Sequence, residues 1–273
     1  MPCSADFIHA YLQEIGVKTP LPAVYRVAQV DEHVATPAQT LVAQTLAAQA
    51  AVTPPAITKA VVAKPDSMPP PVVAKAATPA PVITPPVIKQ NTSLSALAQQ
   101  VAGCTVCELS QRRTQTVFGC GNPSAELMFI AEAPGADEDR QGEPFVASAG
   151  LLLNRMIQAM GMKREQVYLT HSIKCMPLWN RDPSGQEVAA CRGYLDAQIH
   201  AVKPRVICLQ GRIAAHHMLN SDDSLEELRG RWHSYHGIPV YVSYHPTHLL
   251  RVPQRKKDAW QDLQTIMAIL HHT

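Results

Sequence analysis

The sequence predicts an α/β fold, a three-layer α-β-α arrangement with a central four-stranded parallel sheet. A short N-terminal helix and a disordered Pro/Ala-rich linker precede it. Two observations carry this reading. From about residue 93 onward, short apolar runs alternate with helical patterns, and such alternation argues a parallel sheet covered on both faces. Between residues 36 and 90, Ala, Val, Thr and Pro dominate with almost no aromatic residue, so no packed core follows there. The remaining stretch, about 175 residues, is ample for a single core.

Taken in order, residues 6–17 show an amphipathic helix pattern. Phe7, Ile8, Tyr11, Leu12 and Ile15 share a face, and Gly16 suits a C-cap. One helix cannot bury that face alone. It docks a partner or folds back onto the main domain. Residues 1–35 form this N-terminal segment, and residues 36–90 the linker, with Pro54-Pro55, Pro69-Pro70-Pro71 and Pro85-Pro86 favouring extended chain. Alanine and glutamine allow a helical piece around Thr40–Ala51. The folded domain is expected over residues 91–273. Ser93 or Thr92 can cap a helix with Leu94, Leu97 and Val101 on one side. Leu127–Ala131 reads as a buried strand, Ser148–Met160 as a helix, and Val167–Ile173 as a second strand. A helix over Gly185–Ala201 follows, with Ser184 and Glu187 at capping-box spacing. Val206–Leu209 is a third strand, Ile213–Leu219 a helix, and Val240–Ser243 a fourth strand that ends at Tyr244-His245-Pro246. Lys257–His271 closes the chain as a helix.

Net charge is +2 over 273 residues, so no global basic field announces a nucleic-acid partner, and any such contact must be a local patch. No apolar run approaches the length of a membrane span. The N-terminus lacks the basic and apolar regions of a signal peptide. A cytoplasmic, monomeric protein is expected, in which seven cysteines serve as thiols, metal ligands or redox groups rather than disulfides.

The stretch Ala131-Glu132-Ala133-Pro134-Gly135-Ala136-Asp137-Glu138-Asp139 follows the first strand, with Phe145 just beyond. Pro134 and Gly135 stop the strand and force a turn. The turn delivers the carboxylates of Glu132, Asp137, Glu138 and Asp139 to the carboxyl end of a strand, where ligands bind in open parallel sheets. On its own, such a cluster reads first as a solvated acidic loop. Cys104 and Cys107 form a Cys-x-x-Cys pair, which alone fits a redox pair or half a zinc site. With Cys175 and Cys191, four thiolates could hold tetrahedral zinc or an iron–sulfur cluster, and spacing does not decide between them. Cys120 is the competing fourth ligand. Cys208 lies in an apolar strand and reads as a core thiol.

With these motifs in hand, the stretch from about Ser93 to about Leu270 resembles the family 4 uracil-DNA glycosylases. The resemblance rests on several motifs in order: Glu132-Ala133-Pro134-Gly135 with Glu138-Asp139; Gly142-Glu143-Pro144-Phe145; Ala149-Gly150-Leu151-Leu152; Lys174-Cys175-Met176-Pro177 with Asn180-Arg181; Glu187 through Cys191; Arg229-Gly230; and His245-Pro246 with Leu249-Leu250-Arg251. The resemblance implies excision of uracil from DNA by hydrolysis of the N-glycosidic bond, in base excision repair. It also implies a [4Fe-4S] cluster on Cys104, Cys107, Cys175 and Cys191, with a structural role near the DNA surface. By the same resemblance Phe145 stacks on the flipped base and the amides at Glu132-Ala133 bind a uracil carbonyl. His245 donates to the oxygen that gains charge, and Glu138 orients water or stabilises the cationic sugar. Arg229 and Arg251, with Arg231 and the run Arg255-Lys256-Lys257, are the candidate phosphate contacts. The N-terminal helix is a candidate docking element for a replication or repair protein.

Two residues depart from the family pattern. Ala131 replaces the usual Gly, and His171 stands where the family has Asn. An amide offers a donor and an acceptor from one end, whereas an imidazole offers them on opposite ring nitrogens. Slower or less selective uracil removal is expected. A protonated His171 would be a pure donor and would make activity rise at lower pH. Rival readings are a catalytically weak DNA-binding adaptor working through its N-terminal helix, and a zinc-binding structural protein.

Overall fold

The computed structural model describes Ile88 and Thr92–His271, so the expected N-terminal helix and linker lie outside the described residues. The first helix, α1 (Leu94–Ala102), starts where Ser93 caps it: the Ser93 hydroxyl accepts from the Ala96 amide, and Leu97 and Val101 are buried. A two-residue strand β1 (Cys120–Gly121) precedes β2 (Leu127–Ala131), whose five residues are all buried. Helices α2 (Ala136–Gln141) and α3 (Ala147–Ala159) follow. Next come β3 (Tyr168–His171), α4 (Gly185–Val202) and β4 (Val206–Gln210). After α5 (Arg212–Leu219) and the short α6 (Leu225–Leu228), the hairpin strands β5 (Trp232–Tyr235) and β6 (Ile238–Ser243) appear. The chain ends with α7 (Pro246–Arg251) and α8 (Lys256–His271).

The strands form one six-stranded sheet in the order β1-β3-β2-β4-β6-β5. The four expected strands are mutually parallel and occupy its centre. The expectation of four strands is corrected at both edges, where β1 pairs antiparallel with β3 and β5 antiparallel with β6. Both additions lack the sequence signal of a buried strand: β1 is two residues long, and in β5 only Tyr235 is buried. The turn joining β5 to β6 places His236 and Gly237 at φ of 49° and 82°, the left-handed pair that a tight hairpin requires.

Successive residues of β2 point to opposite faces, and the two faces carry separate cores. Leu127, Phe129 and Ala131 pack with Leu153 and Met156 of α3 and with Leu263 and Ile266 of α8. Met128 and Ile130 pack with Leu195 and Ile199 of α4 and with Ala215 and Met218 of α5. Removing one such fully buried side chain, as in Leu153→Ala, costs about 2–5 kcal/mol. Ser184 and Glu187 form the expected capping box of α4, each accepting from the other's amide. Among the described residues no helix is long and apolar enough to cross a membrane.

Candidate active site

The carboxyl ends of the four parallel strands open into one pocket of about 790 Å³. Glu132 and Ala133 enter it after β2, His171 ends β3, Gly211 and Arg212 follow β4, and Tyr244 and His245 follow β6. The sheet order reverses about β2, which is where an open α/β sheet leaves a crevice for a ligand. Phe145 supplies a further wall from the loop between α2 and α3, where it also belongs to the core beneath. The Phe145 ring lies near-parallel to two imidazoles: 17° and 5.3 Å from His171, and 23° and 6.0 Å from His245. Residues 132, 133, 138, 145, 171 and 245, assigned to one site by resemblance, all line this pocket.

The Phe145 loop is held in a costly conformation. Phe145 has φ 52° and Ala147 φ 50°, a region that non-glycine residues rarely adopt. Two features hold it there. Glu138 accepts the Val146 amide on one carboxylate oxygen and the Gly135 amide on the other, both at 3.1 Å. Gly150, in the first turn of α3, leaves room for the Phe145 carbonyl, which a Cβ at that position would overlap. The Glu138 carboxylate therefore ties the loop after β2 to the loop bearing Phe145.

Burial, helped by neighbouring positive groups, holds the pKa of both pocket histidines down. His245 caps α7, its Nδ1 accepting the Thr247 amide at 3.2 Å. The proton of the neutral ring is then on Nε2. Burial, with the positive charge of Arg251 nearby, lowers its pKa to about 4. His171 is fully buried, and burial, then Lys174 and His245, drives its pKa well below the usual histidine value. Its Nδ1 has no hydrogen-bond partner among the described residues. A buried nitrogen without a partner is rare and calls for an explanation, and a ligand contact from this pocket-lining residue is one. The acid activation expected from a protonated His171 is not supported, because burial keeps the ring uncharged.

The acidic cluster is not one group. Asp139 is buried and accepts the Thr114 amide at 3.0 and 3.1 Å on its two oxygens, a structural role. Asp137 pairs with Arg140 on the surface. Glu132 keeps its place in the pocket, where burial and then Asp182 raise its pKa while Arg212 and Arg251 lower it. The turn at Pro134-Gly135 leads directly into helix α2, where Glu138 reaches back to cap Gly135.

The two candidate phosphate contacts differ. Arg251 is exposed at the pocket rim. Arg229 is drawn inward: it binds Asp262 through Nε at 3.0 Å and Nη2 at 2.9 Å, and its guanidinium lies 4.0 Å from the centre of the Tyr244 ring. With its side chain only 13% exposed, Arg229 braces Tyr244 from behind rather than facing solvent.

Cys104, Cys107, Cys175 and Cys191 line a second, closed cavity with Val101, Arg113, Lys174 and Tyr194. Arg113 donates to the Cys175 sulfur at 3.3 Å and to the Ala102 carbonyl at 2.9 Å. Burial pushes the Cys107 and Cys175 thiols up, and Cys191 up to about 12. Among the described residues no group of three or more His, Cys, Asp or Glu side chains is placed to hold a metal ion. Cys120 stands apart in β1, beside Arg164. Between the two cavities, Lys174 is fully buried and donates to the Thr170 hydroxyl and the His171 carbonyl, both at 2.7 Å.

Several pocket residues had no sequence signal of their own. Asp182 and Arg212 line the pocket as a pair at 3.6 Å, thirty residues apart in the chain. Asn180 also lines it, from the motif that the sequence comparison had matched without a role.

The Uracil DNA glycosylase superfamily model matches residues 118–264. A type-4 uracil-DNA glycosylase of Archaeoglobus fulgidus is 39% identical over 184 residues, covering 64% of this chain and 92% of that protein. Its counterpart in Sulfurisphaera tokodaii is 39% identical over 183 residues, covering 64% and 83% respectively. One from Thermotoga maritima is 37% identical over 162 residues, covering 58% and 83%.

Proposed function

The chain belongs to the uracil-DNA glycosylase superfamily, and within it to the type-4 group; on that premise we propose that it is a DNA-repair hydrolase that removes uracil from DNA by cleaving the N-glycosidic bond. The observation that carries the reading is the half-buried His245 in the pocket wall, its Nδ1 occupied by the Thr247 amide and its pKa lowered to about 4. In the reaction the bond between C1′ and the base nitrogen breaks and its electron pair leaves with the base. Water adds to C1′ and its proton ends in solution or on the departing base. Negative charge develops on a uracil oxygen. A donor aimed at that oxygen stabilises the transition state without having to transfer its proton. His245 Nε2–H is such a donor, preorganised by its own helix cap. The base must leave the stack to reach it, and Phe145 offers a flat face for it to lie on. His171, whose Nδ1 has no protein partner among the described residues, stands in the same wall and is assigned to the edge of the base. Glu132 and Glu138 place negative charge on the wall facing a cationic sugar. Glu138, already engaged by two amides, acts chiefly as a positioning residue for the Phe145 loop.

The catalytic unit is assigned to residues 91–273, with uracil-containing DNA as its partner and Arg251 as a phosphate contact. We assign a [4Fe-4S] cluster to Cys104, Cys107, Cys175 and Cys191. The donor set fits it: four cysteines line one cavity, and an arginine donates to one of their sulfurs. When bound, the cluster would cross-link three chain segments distant in sequence. The adaptor reading draws no support from relatives that carry the glycosylase name. The deciding experiment incubates the full chain with uracil-containing single and double strands and measures free uracil and alkali-labile sites. Release of uracil is expected, and a protein with its full iron content that releases none would overturn the assignment.

A further inference from the structure

Four large apolar side chains among the described residues are exposed, and three of them lie within two residues of a residue that lines the base pocket. Leu151 is two residues from pocket-lining Ala149, Leu250 adjoins Arg251, and Trp179 adjoins Asn180. A scattered exposed leucine needs no explanation. Trp179 differs. Its indole is 94% exposed, the most solvent-open of the four.

The backbone beneath it is built to keep the ring out. Trp179 has φ 58° and Asn180 φ 52°, two successive left-handed residues in a turn where neither is glycine. The turn is closed by the Asn180 amide donating to the Pro177 carbonyl at 3.1 Å and the Arg181 amide donating to the Leu178 carbonyl at 3.3 Å. Arg181 then latches onto α4 through a two-pronged pair with Glu187 at 2.7 and 2.8 Å. Cys175 and Cys191, both in the wall of the cysteine cavity, bracket the whole loop. An indole is large enough to be buried at a gain, yet this one is displayed beside a pocket whose lining includes Asn180 and Asp182.

We propose that Trp179 is a DNA-contact residue that stacks on an unpaired base of the strand flanking the flipped nucleotide. The inference rests on the glycosylase reading for the presence of DNA at this mouth, and adds a contact outside the pocket. Flipping leaves a neighbouring base without its stacking partner, and an indole face accepts any base because every base has a π surface. The same contact works on a single strand, where bases are already unpaired. A ring contributing by stacking rather than by charge leaves the salt dependence of binding unchanged.

The test uses the full chain, a short single-stranded oligothymidylate without uracil, and the same strand carrying one uracil. Wild type, Trp179→Phe and Trp179→Gly are compared, glycine being chosen because it accepts the left-handed turn without a side chain. On the uracil-free strand, Trp179→Gly should bind about tenfold more weakly, within the five- to 150-fold range that loss of one stacking contact implies, with the same slope against salt. Trp179→Phe should bind within about twofold of wild type, since a flat ring is retained. Tryptophan fluorescence should be quenched by the strand in wild type and lose most of that quenching in Trp179→Phe, where only Trp232 and Trp260 remain. Wild-type affinity in Trp179→Gly, or undiminished quenching in Trp179→Phe, would overturn the proposal, as would a wild type that does not bind. Uracil release from the second strand is scored separately. Quenching without uracil release would sink the glycosylase reading and leave the stacking contact standing.

Discussion

His171 lines an open pocket of about 790 Å³, and Cys175, four residues further on, lines a closed one walled by thiols. Lys174, between them, lines the closed cavity and is bonded back to the His171 carbonyl. In the open pocket, burial lowers the pKa of both histidines, and the Glu138 carboxylate is satisfied by backbone amides. The closed cavity holds four acids of another kind, thiols whose ionisation burial opposes at Cys107, Cys175 and Cys191, and it supplies Arg113 as a counter-charge. A neutral base is received by groups that keep their protons. A metal centre is received by groups that must lose them. The difference separates recognition from construction within one short stretch of chain.

The sharpest way to break that contrast is at the closed cavity. Replacing Cys191 or Cys175 with serine should abolish iron retention, measured as iron per chain, while Cys120→Ser keeps a full complement. Full iron in the Cys175 variant would dissolve the distinction. Next in size is His245→Ala, expected to slow single-turnover uracil release by about a hundred- to a thousandfold, the usual cost of losing one oxyanion donor. DNA affinity should change little, and a slowing under threefold would remove His245 from the chemistry.

His171→Asn sharpens the comparison on the recognition side. An amide presents a donor and an acceptor on adjacent atoms, so the variant should gain about ten- to a hundredfold in rate or in uracil-over-cytosine discrimination. Wild type and variant with matching rates on uracil and on cytosine would mean that His171 does not read the base. Glu138→Gln tests positioning. A carboxamide has one accepting oxygen for two amides, so a loss of about 1–3 kcal/mol in stability and a comparable loss in rate are expected. An unchanged melting temperature would show that the Phe145 loop is held by other means.

The smallest effect is the flatness of the pH profile. His245 has its folded pKa lowered to about 4, against about 6.5 in the unfolded chain. Above pH 6.5 both states are neutral and the group contributes nothing to pH dependence. As pH falls from 6.5 towards 4, only the unfolded chain takes up the proton, and stability drops by about 3 kcal/mol. Excision should therefore stay level from pH 9 to about 5 and fall near 4. A rise in rate on acidification from 7 to 5.5 would show that a histidine charges in the pocket after all.

Much of this architecture was legible in the sequence because parallel strands are buried on both faces. Leu127–Ala131 and Val206–Gln210 are unbroken apolar or buried runs and stand out. The edge strands escaped notice because β5 alternates between solvent and core and β1 is too short to show a period. The site residues were legible as a set of motifs, and the set does share one pocket. Their states were not. The neutrality of His171 comes from burial, and the engagement of Arg229 comes from Asp262, thirty-three residues away, whose carboxylate also accepts the Ser243 hydroxyl at 2.7 Å. Glu138 looked like a free acid because the amide of Val146 that occupies it lies eight residues on, across a helix. Charge in a sequence is visible. Whether that charge is already spent on the fold is decided by partners that pattern and spacing do not reveal.

The absent Cβ of Gly150 has a consequence for how this domain tolerates change. The residue has no side chain, donates the ordinary helical bond from its amide to the Val146 carbonyl at 2.9 Å, and lies five residues beyond Phe145. Adding a single methyl group there would press on the Phe145 carbonyl and, through that peptide, lever the aromatic ring out of parallel with both imidazoles. The spacing of the rings is thus gauged by a hydrogen atom on a helix, and a change that improves helix propensity would put that gauge out of true.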